Sequence, residues 1–121
     1  MPLPIGDWRI NSSGVLGTLS IAKADTAGNV FGTLSSSGFK TPSVAVLGFW
    51  DELTAKLTFM ASGAVSANNT RTYTGFLFPD KHRMPGIEGG SVSTLVGFYE
   101  DFTSATTDRI AFGWYAQIGQ A

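Results

Sequence analysis

The sequence predicts an all-β fold, an eight-stranded antiparallel up-and-down β-barrel, and three observations carry that expectation. Charged residues are only 14% of the chain against 43% hydrophobic, with 15 glycines, a mixture typical of many short strands joined by tight turns. Eight stretches alternate in side-chain character with a period of two, and clusters of Gly, Asn, Asp, Ser or Pro separate nearly every pair. No apolar stripe of period 3.6 persists for three helical turns, and no repeat of fixed period is present. Closure into a barrel removes the exposed strand edges that an open sheet would carry; a two-sheet sandwich is the alternative.

Taken in order, residues 6–10 (Gly-Asp-Trp-Arg-Ile) form a short first strand with Trp8 as an inward anchor, ended by the turn-forming Asn11-Ser12-Ser13-Gly14. Residues 15–24 set Val15, Gly17, Leu19 and Ile21 against Leu16, Thr18, Ser20 and Ala22, a strand with one apolar face. After the Asp25-Thr26-Ala27-Gly28 turn, residues 29–35 follow at hairpin spacing, and a small-residue loop leads to residues 43–51. That fourth strand is apolar on both faces, Val44, Val46 and Trp50 opposite Ala45, Leu47 and Phe49, and reads as fully buried. Residues 55–62 set Leu57 and Phe59 against Lys56, Thr58 and Met60. In residues 70–78, Arg71, Tyr73, Gly75 and Leu77 share one face and Thr72, Thr74, Phe76 and Phe78 the other, so both faces carry aromatic weight. Residues 79–90, with two prolines and three glycines, form the longest irregular segment; residues 91–102 and 109–118 are the last two strands.

At 121 residues the chain reads as one domain, residues 1–121, able to bury its own core. A net charge of −1 without any Lys/Arg cluster gives no electrostatic footprint for nucleic acid or an anionic membrane. The absence of Cys excludes disulfides, Cys-ligated zinc and Cys nucleophiles, and leaves the redox compartment open. Met1-Pro2-Leu3-Pro4 has neither a basic nor an apolar signal region, and no apolar run approaches membrane-spanning length. A soluble chain is expected, in a compartment left open because a removed leader leaves no trace.

Gly6-x-Trp8, then Leu19-Ser20-Ile21, then Gly28-Asn29-Val30-Phe31-Gly32-Thr33, and further on Leu47-Gly48, Tyr73-Thr74-Gly75 and the Gly113 strand, resemble the avidin and streptavidin family over most of the chain. Gly-x-Trp near an N-terminus also marks lipocalins and other calycin barrels; the tiny hairpin loops and short chain favour the avidin type. Ser93-Thr94-Leu95-Val96-Gly97 resembles the opening of the family's last strand, which would make residues 109–118 an additional one; the eight-strand count is the reading kept. The resemblance implies a barrel-mouth pocket for biotin, lined by polar groups and tryptophans, with Asn11 as the first polar ligand and Thr18 or Gly17 replacing a serine. It places Leu34 where a tyrosine hydroxyl is expected, and leucine cannot donate a hydrogen bond. Asn69, Arg71 and Tyr73 fall where the family has hydroxyl, hydroxyl and aromatic groups. Val96 or Phe98 falls where it has a tryptophan, Thr107 where a neighbouring subunit supplies another, and Tyr115 at the last polar ligand. Each buried partner lost costs about 1–3 kcal/mol, so most of a tight biotin affinity would be removed.

The expected function is therefore non-enzymatic binding of a small apolar or polar ligand in the barrel mouth, with walls from Asn11, Ser36, Trp50, Asn69, Arg71, Tyr73, Phe98 and Tyr115, and no cofactor. The ligand need not be biotin. The competing class is a structural or interaction protein with a filled barrel; a third is a barrel-housed isomerase or cyclase using Tyr73, Arg71 or Glu100. No Ser/His/acid order, metal-ligand spacing or phosphate loop is present, and His82 reads as a solvated loop residue. Trp8, Trp50 and Trp114 divide between cavity wall, core and interface. Glu100-Asp101 and Asp51-Glu52 read as strand-end charges, since adjacent carboxylates on a strand point to opposite faces. Arg71 is the open question: facing inward it demands a carboxylate from the protein or a ligand, and facing solvent it means little. Strands apolar on both faces also predict burial against a second copy, as a homodimer or homotetramer, through one of two sets: Val96, Phe98, Phe112 and Trp114, or Leu95, Tyr99, Gly113 and Tyr115. Avidins, commonly tetramers, point the same way.

Overall fold

The structure, a computed structural model, describes residues 2–37, 39, 42–62, 69–80, 91–103 and 110–120. Eight strands are present: β1 (Gly6–Ser12), β2 (Val15–Ala24), β3 (Asn29–Ser36), β4 (Val44–Asp51), β5 (Lys56–Ser62), β6 (Asn69–Asp80), β7 (Ser91–Thr103) and β8 (Ile110–Gln120). Each pairs antiparallel with the next, and β1 closes on β8 from Arg9↔Gln117 to Ser12↔Trp114, so the sheet is a closed barrel with sequence order preserved around it.

The alternation read from the sequence sets the walls. Trp8 and Ile10, Leu19 and Ile21, Val46 and Trp50, Leu57 and Phe59, Tyr73 and Leu77, Leu95 and Tyr99, and Trp114 and Ala116 face inward and are buried. On β6 the face of Arg71, Tyr73, Gly75 and Leu77 is the inner one. Several strand ends shift by one or two residues from expectation, and two of these shifts have a clear local cause. Asn11 and Ser12 belong to β1 rather than to a turn, because they pair with Leu16 and Val15; this leaves a two-residue turn in which Ser13 and Gly14 both take positive φ, the geometry tight hairpins favour. β6 continues through Pro79 and Asp80, opposite Ser93 and Val92; at a strand end a missing N–H is tolerated.

Two further expectations are corrected. β4 is not fully buried: Leu47 is 62% and Phe49 50% exposed, because a barrel wall is one layer thick and nothing among the described residues covers its outside. The two sets of β7 and β8 residues each mix faces. Val96 pairs with Tyr115 and Phe98 with Gly113, facing out, whereas Leu95 and Tyr99 face in with Trp114 and Phe112. Alternation orders residues within a strand; only the inter-strand register tells which set on one strand joins which on the next.

The inner face carries a row of four rings in direct register across four strands, Phe59↔Tyr73↔Tyr99↔Phe112. Their centroids lie 4.5, 4.9 and 5.3 Å apart, stacked, and Trp114 meets Phe59 and Tyr73 edge-on at 5.8 Å. Trp114 Nε1 donates to the backbone carbonyls of Thr74, at 3.2 Å, and Phe98, at 3.0 Å. The indole reaches them because Gly75 and Gly97 have no side chains. A Cβ on Gly75 would lie 2.5 Å from the Trp114 ring, and one on Gly97 would run into the Thr74 carbonyl. G75A and G97A are each expected to lower stability in urea unfolding by about 1–3 kcal/mol through overpacking. G113A, whose Cβ would meet nothing nearer than the Gly97 oxygen at 4.0 Å, should leave the midpoint nearly unchanged.

Candidate functional site

In an up-and-down barrel the turns alternate between ends. The β1–β2, β3–β4, β5–β6 and β7–β8 connections therefore share one end, the mouth, and the chain start shares the other with the β2–β3, β4–β5 and β6–β7 connections. Toward the mouth the inner face changes character. Beyond the ring row lie Ser12 at the end of β1, Ser36 at the end of β3, Arg71 on β6 and Asp101 on β7, with Phe39 just past β3.

Arg71 and Asp101 are directly opposed across β6 and β7, and Arg71 Nε donates to Asp101 Oδ2 at 3.1 Å; the arginine side chain is 15% exposed. Nη1 donates to the Tyr73 hydroxyl at 3.5 Å. The guanidinium lies 5.1 Å from the Tyr99 ring centroid and 5.6 Å from that of Phe39, within cation–π range of both. Burial alone would lower the Arg71 pKa, but the Tyr73 hydrogen bond and the charges of Tyr73, Asp101 and Tyr99 outweigh it and hold it above its ordinary value. Burial pushes the Tyr73 hydroxyl above the usual phenol range, against the opposing hydrogen bond and charge of Arg71. Ser12, Val15, Ser36, Phe39, Arg71 and Tyr99 enclose a void of about 60 Å³. The site offers hydroxyl groups, an aromatic-flanked guanidinium and a carboxylate: chemistry that can hold a small polar group.

Of the expected wall residues, the structure brings Ser36, Arg71 and Tyr73 together here. Asn11 faces outward, since inward parity from Trp8 falls on Ile10 and Ser12; its Oδ1 accepts from the Gly14 N–H at 2.7 Å, and its Nδ2 donates to the Tyr115 hydroxyl at 3.4 Å. Phe98 and Tyr115 are likewise on the outer face. Trp50 faces inward but at the opposite end, next to the β4–β5 turn. Asn69 opens β6, and its side chain lies outside the described residues, as do Thr107 and His82. Leu34 is inward and buried, so β3 supplies no hydroxyl there. Glu100 shares the outer face with Thr72 and Ala111, so Tyr73, Arg71 and Glu100 do not form one constellation. Sequence reasoning missed Ser12, Phe39, Tyr99 and Asp101. Asp101 had a usable signal: it is two residues from Tyr99 on one strand face, as Arg71 is from Tyr73 on another.

A larger cleft, about 590 Å³, lies at the opposite end between the N-terminal segment and the β2–β3 and β4–β5 turns. Its carboxylates are used locally. Asp25 accepts from the Ala27 and Asn29 N–H groups and the Asn29 amide, which hold its pKa below the ordinary value, and Asp51 accepts from the Leu53 N–H. Trp50 Nε1 has no hydrogen-bond partner among the described residues but is shut off from solvent, so it does not face the cleft. The smaller mouth void, where polar groups converge, is the better candidate. Among the described residues no group of His, Asp or Glu could hold a metal ion, and no helix is long and apolar enough to cross a membrane.

Closed topology, ring-filled interior and polar mouth define the class: an eight-stranded up-and-down barrel of avidin-like fold. The chain is similar in structure to shwanavidin, in its apo P21 form (TM-score 0.72, 14% identity, covering 97% of both chains), its apo P1 form (0.69, 15%, 97% of this chain and 98% of that one) and a low-affinity mutant of it (0.72, 13%, 97% of both). No protein-family model and no curated protein matches the chain.

The raised Tyr73 pKa has a stability consequence. The native state keeps its proton where the unfolded chain has lost it, so this contribution is complete below the unfolded value near 10 and is lost as pH rises through the native value. Denaturant unfolding between pH 8 and 11 should show stability falling above about pH 10, and Y73F should flatten that part of the profile.

Proposed function

We propose that this chain is a non-enzymatic barrel that binds a small ligand at its mouth, at a site altered away from biotin. The observation that supports the reading is the convergence of Ser12, Ser36, Arg71 and Tyr99 around one void, with Asp101 paired to Arg71, at the end of an otherwise largely apolar interior. Two features argue against biotin as the ligand. Leu34 offers no hydroxyl, and a void of about 60 Å³ is far below the roughly 300–1,000 Å³ of pockets that enclose a drug-sized ligand. Only a small molecule, or the end of a larger one, would enter. Calorimetry with biotin is expected to give binding weaker than micromolar or none; a nanomolar constant would overturn the argument from Leu34 and Thr107.

The stacked rings favour a second reading, a structural or interaction barrel whose interior is filled by its own side chains. The two readings separate on whether any small molecule perturbs Arg71.

Self-association is part of the proposal, and its support is the outer surface. Phe31, Leu47 and Met60 lie in one register row across β3, β4 and β5, with Phe49 beside them, at exposures of 41% to 62%. With about 100 Å² from each, they present roughly 400 Å², near the upper range for a monomer. A second row, Phe76, Val96, Tyr115 and Leu16, crosses β6 to β2 through Asn11, with Phe98 next to it. A homodimer, or a dimer of dimers, would cover both. Light scattering after size exclusion at micromolar concentration should give a multiple of 12.8 kDa, and L47E/F49E should shift it toward monomer. A stable wild-type monomer would remove this part of the proposal.

A further inference from the structure

The chemistry of the mouth narrows the ligand class, on the footing that the mouth is a ligand site. Asp101 engages Arg71 through Nε, and among the described residues the one further hydrogen bond of the guanidinium is the long Nη1 contact to Tyr73. A guanidinium has five N–H donors. Three of them, at the terminal Nη1/Nη2 edge, have no acceptor among the described residues, on a side chain only 15% exposed. These donors are not sealed in, since among the described residues the one fully buried side-chain polar atom without a partner is Trp50 Nε1; they stand open to water or to a ligand with acceptors to offer.

The ring stacking fixes where that edge can turn. Tyr99 and Phe39 hold the guanidinium, and the Asp101 bond removes rotation about its long axis, so the group is pre-organised before a ligand arrives. The adjoining void of about 60 Å³ has the volume of about two waters, or of one planar group with two oxygens. Ser12 and Ser36 border the same void.

We infer that the site takes the carboxylate of a small organic acid, its two oxygens on the Nη1/Nη2 edge of Arg71, with the tail directed out of the mouth. Asp101 already balances the charge of Arg71. Selectivity therefore rests on two acceptors meeting a fixed pair of donors more than on net charge, and a neutral amide, which presents one acceptor and a donor, fits poorly.

The test compares hexanoate with hexanamide at pH 7.5 on the full chain labelled with ¹⁵N-arginine, following the Nε and Nη signals and titrating affinity. Hexanoate is expected to shift the Arg71 Nη signals, slow their rotation and bind at least about tenfold more tightly than hexanamide; R71K, which lacks the fork, should bring the two within about threefold. Equal affinities, or hexanoate binding that leaves the Arg71 signals unmoved, would overturn the carboxylate assignment and leave the mouth as a ligand site. If neither compound binds the folded wild-type chain, the carboxylate assignment and the ligand-site reading fall together, in favour of a filled barrel. The wild-type comparison stands even if R71K does not fold.

Discussion

The interior of an eight-stranded barrel is just wide enough for side chains to fill, and in this chain the filling depends on one arrangement. Phe59, Tyr73, Tyr99 and Phe112 stack across four strands, and the Trp114 indole stands edge-on against the first two. Such packing needs a gap in the wall, which Gly75 and Gly97 supply. Mid-strand glycine ordinarily weakens a sheet. Here it lets the indole N–H reach two carbonyl groups and so satisfies a buried donor that a bulkier wall would orphan.

The same row determines the polar site. Tyr73 and Tyr99 are opposite one another, so the inward residues two positions on toward the mouth, Arg71 and Asp101, are opposite as well. The Tyr73 hydroxyl accepts from Arg71, and the Tyr99 ring lies beside the guanidinium. The rings that exclude water from the core are therefore also the floor of the site. A volume change at Tyr73 or Tyr99 would be felt in both places.

Much of this is legible in the sequence. Period-two alternation locates all eight strands, and it puts Arg71, Tyr73, Gly75 and Leu77 on one face because that relation is internal to a strand. It cannot join faces between strands: Phe98 and Tyr115 are on the outer surface because Val96↔Tyr115 and Phe98↔Gly113 are the pairs, and register is set by turns and packing. Asn11 is misread for a related reason. The tetrad ending in Gly14 looks like a four-residue turn, yet its first two residues complete the ladder, so the parity counted from Trp8 runs on through Ile10 to Ser12 and turns Asn11 outward. Trp50 is readable in direction but not in end, although turn counting alone separates it from Arg71. Asp101 is the instructive miss: adjacent carboxylates on a strand face opposite ways, which excludes cooperation between Glu100 and Asp101 but leaves one of them to face the inward arginine.

Closure has a cost on the outside. A barrel has no edge strand and cannot bury apolar surface by adding one, so the protection that closure gives against edge pairing also removes edge pairing as a way to cover Leu47, Phe49 or Met60. Lengthening the chain to add a second layer is one solution that other folds use; the described residues contain no such layer. The route left for covering them is contact between the face of one sheet and the face of another, which is why self-association is part of the proposal. On the outer face the rows of large apolar side chains are interrupted by threonines such as Thr58, Thr72 and Thr74. Alternation that is apolar inward builds a barrel; alternation that is apolar in both directions also leaves side chains such as Leu47, Phe49 and Phe98 on its outer wall, and it is that exposure on which the proposal of self-association rests.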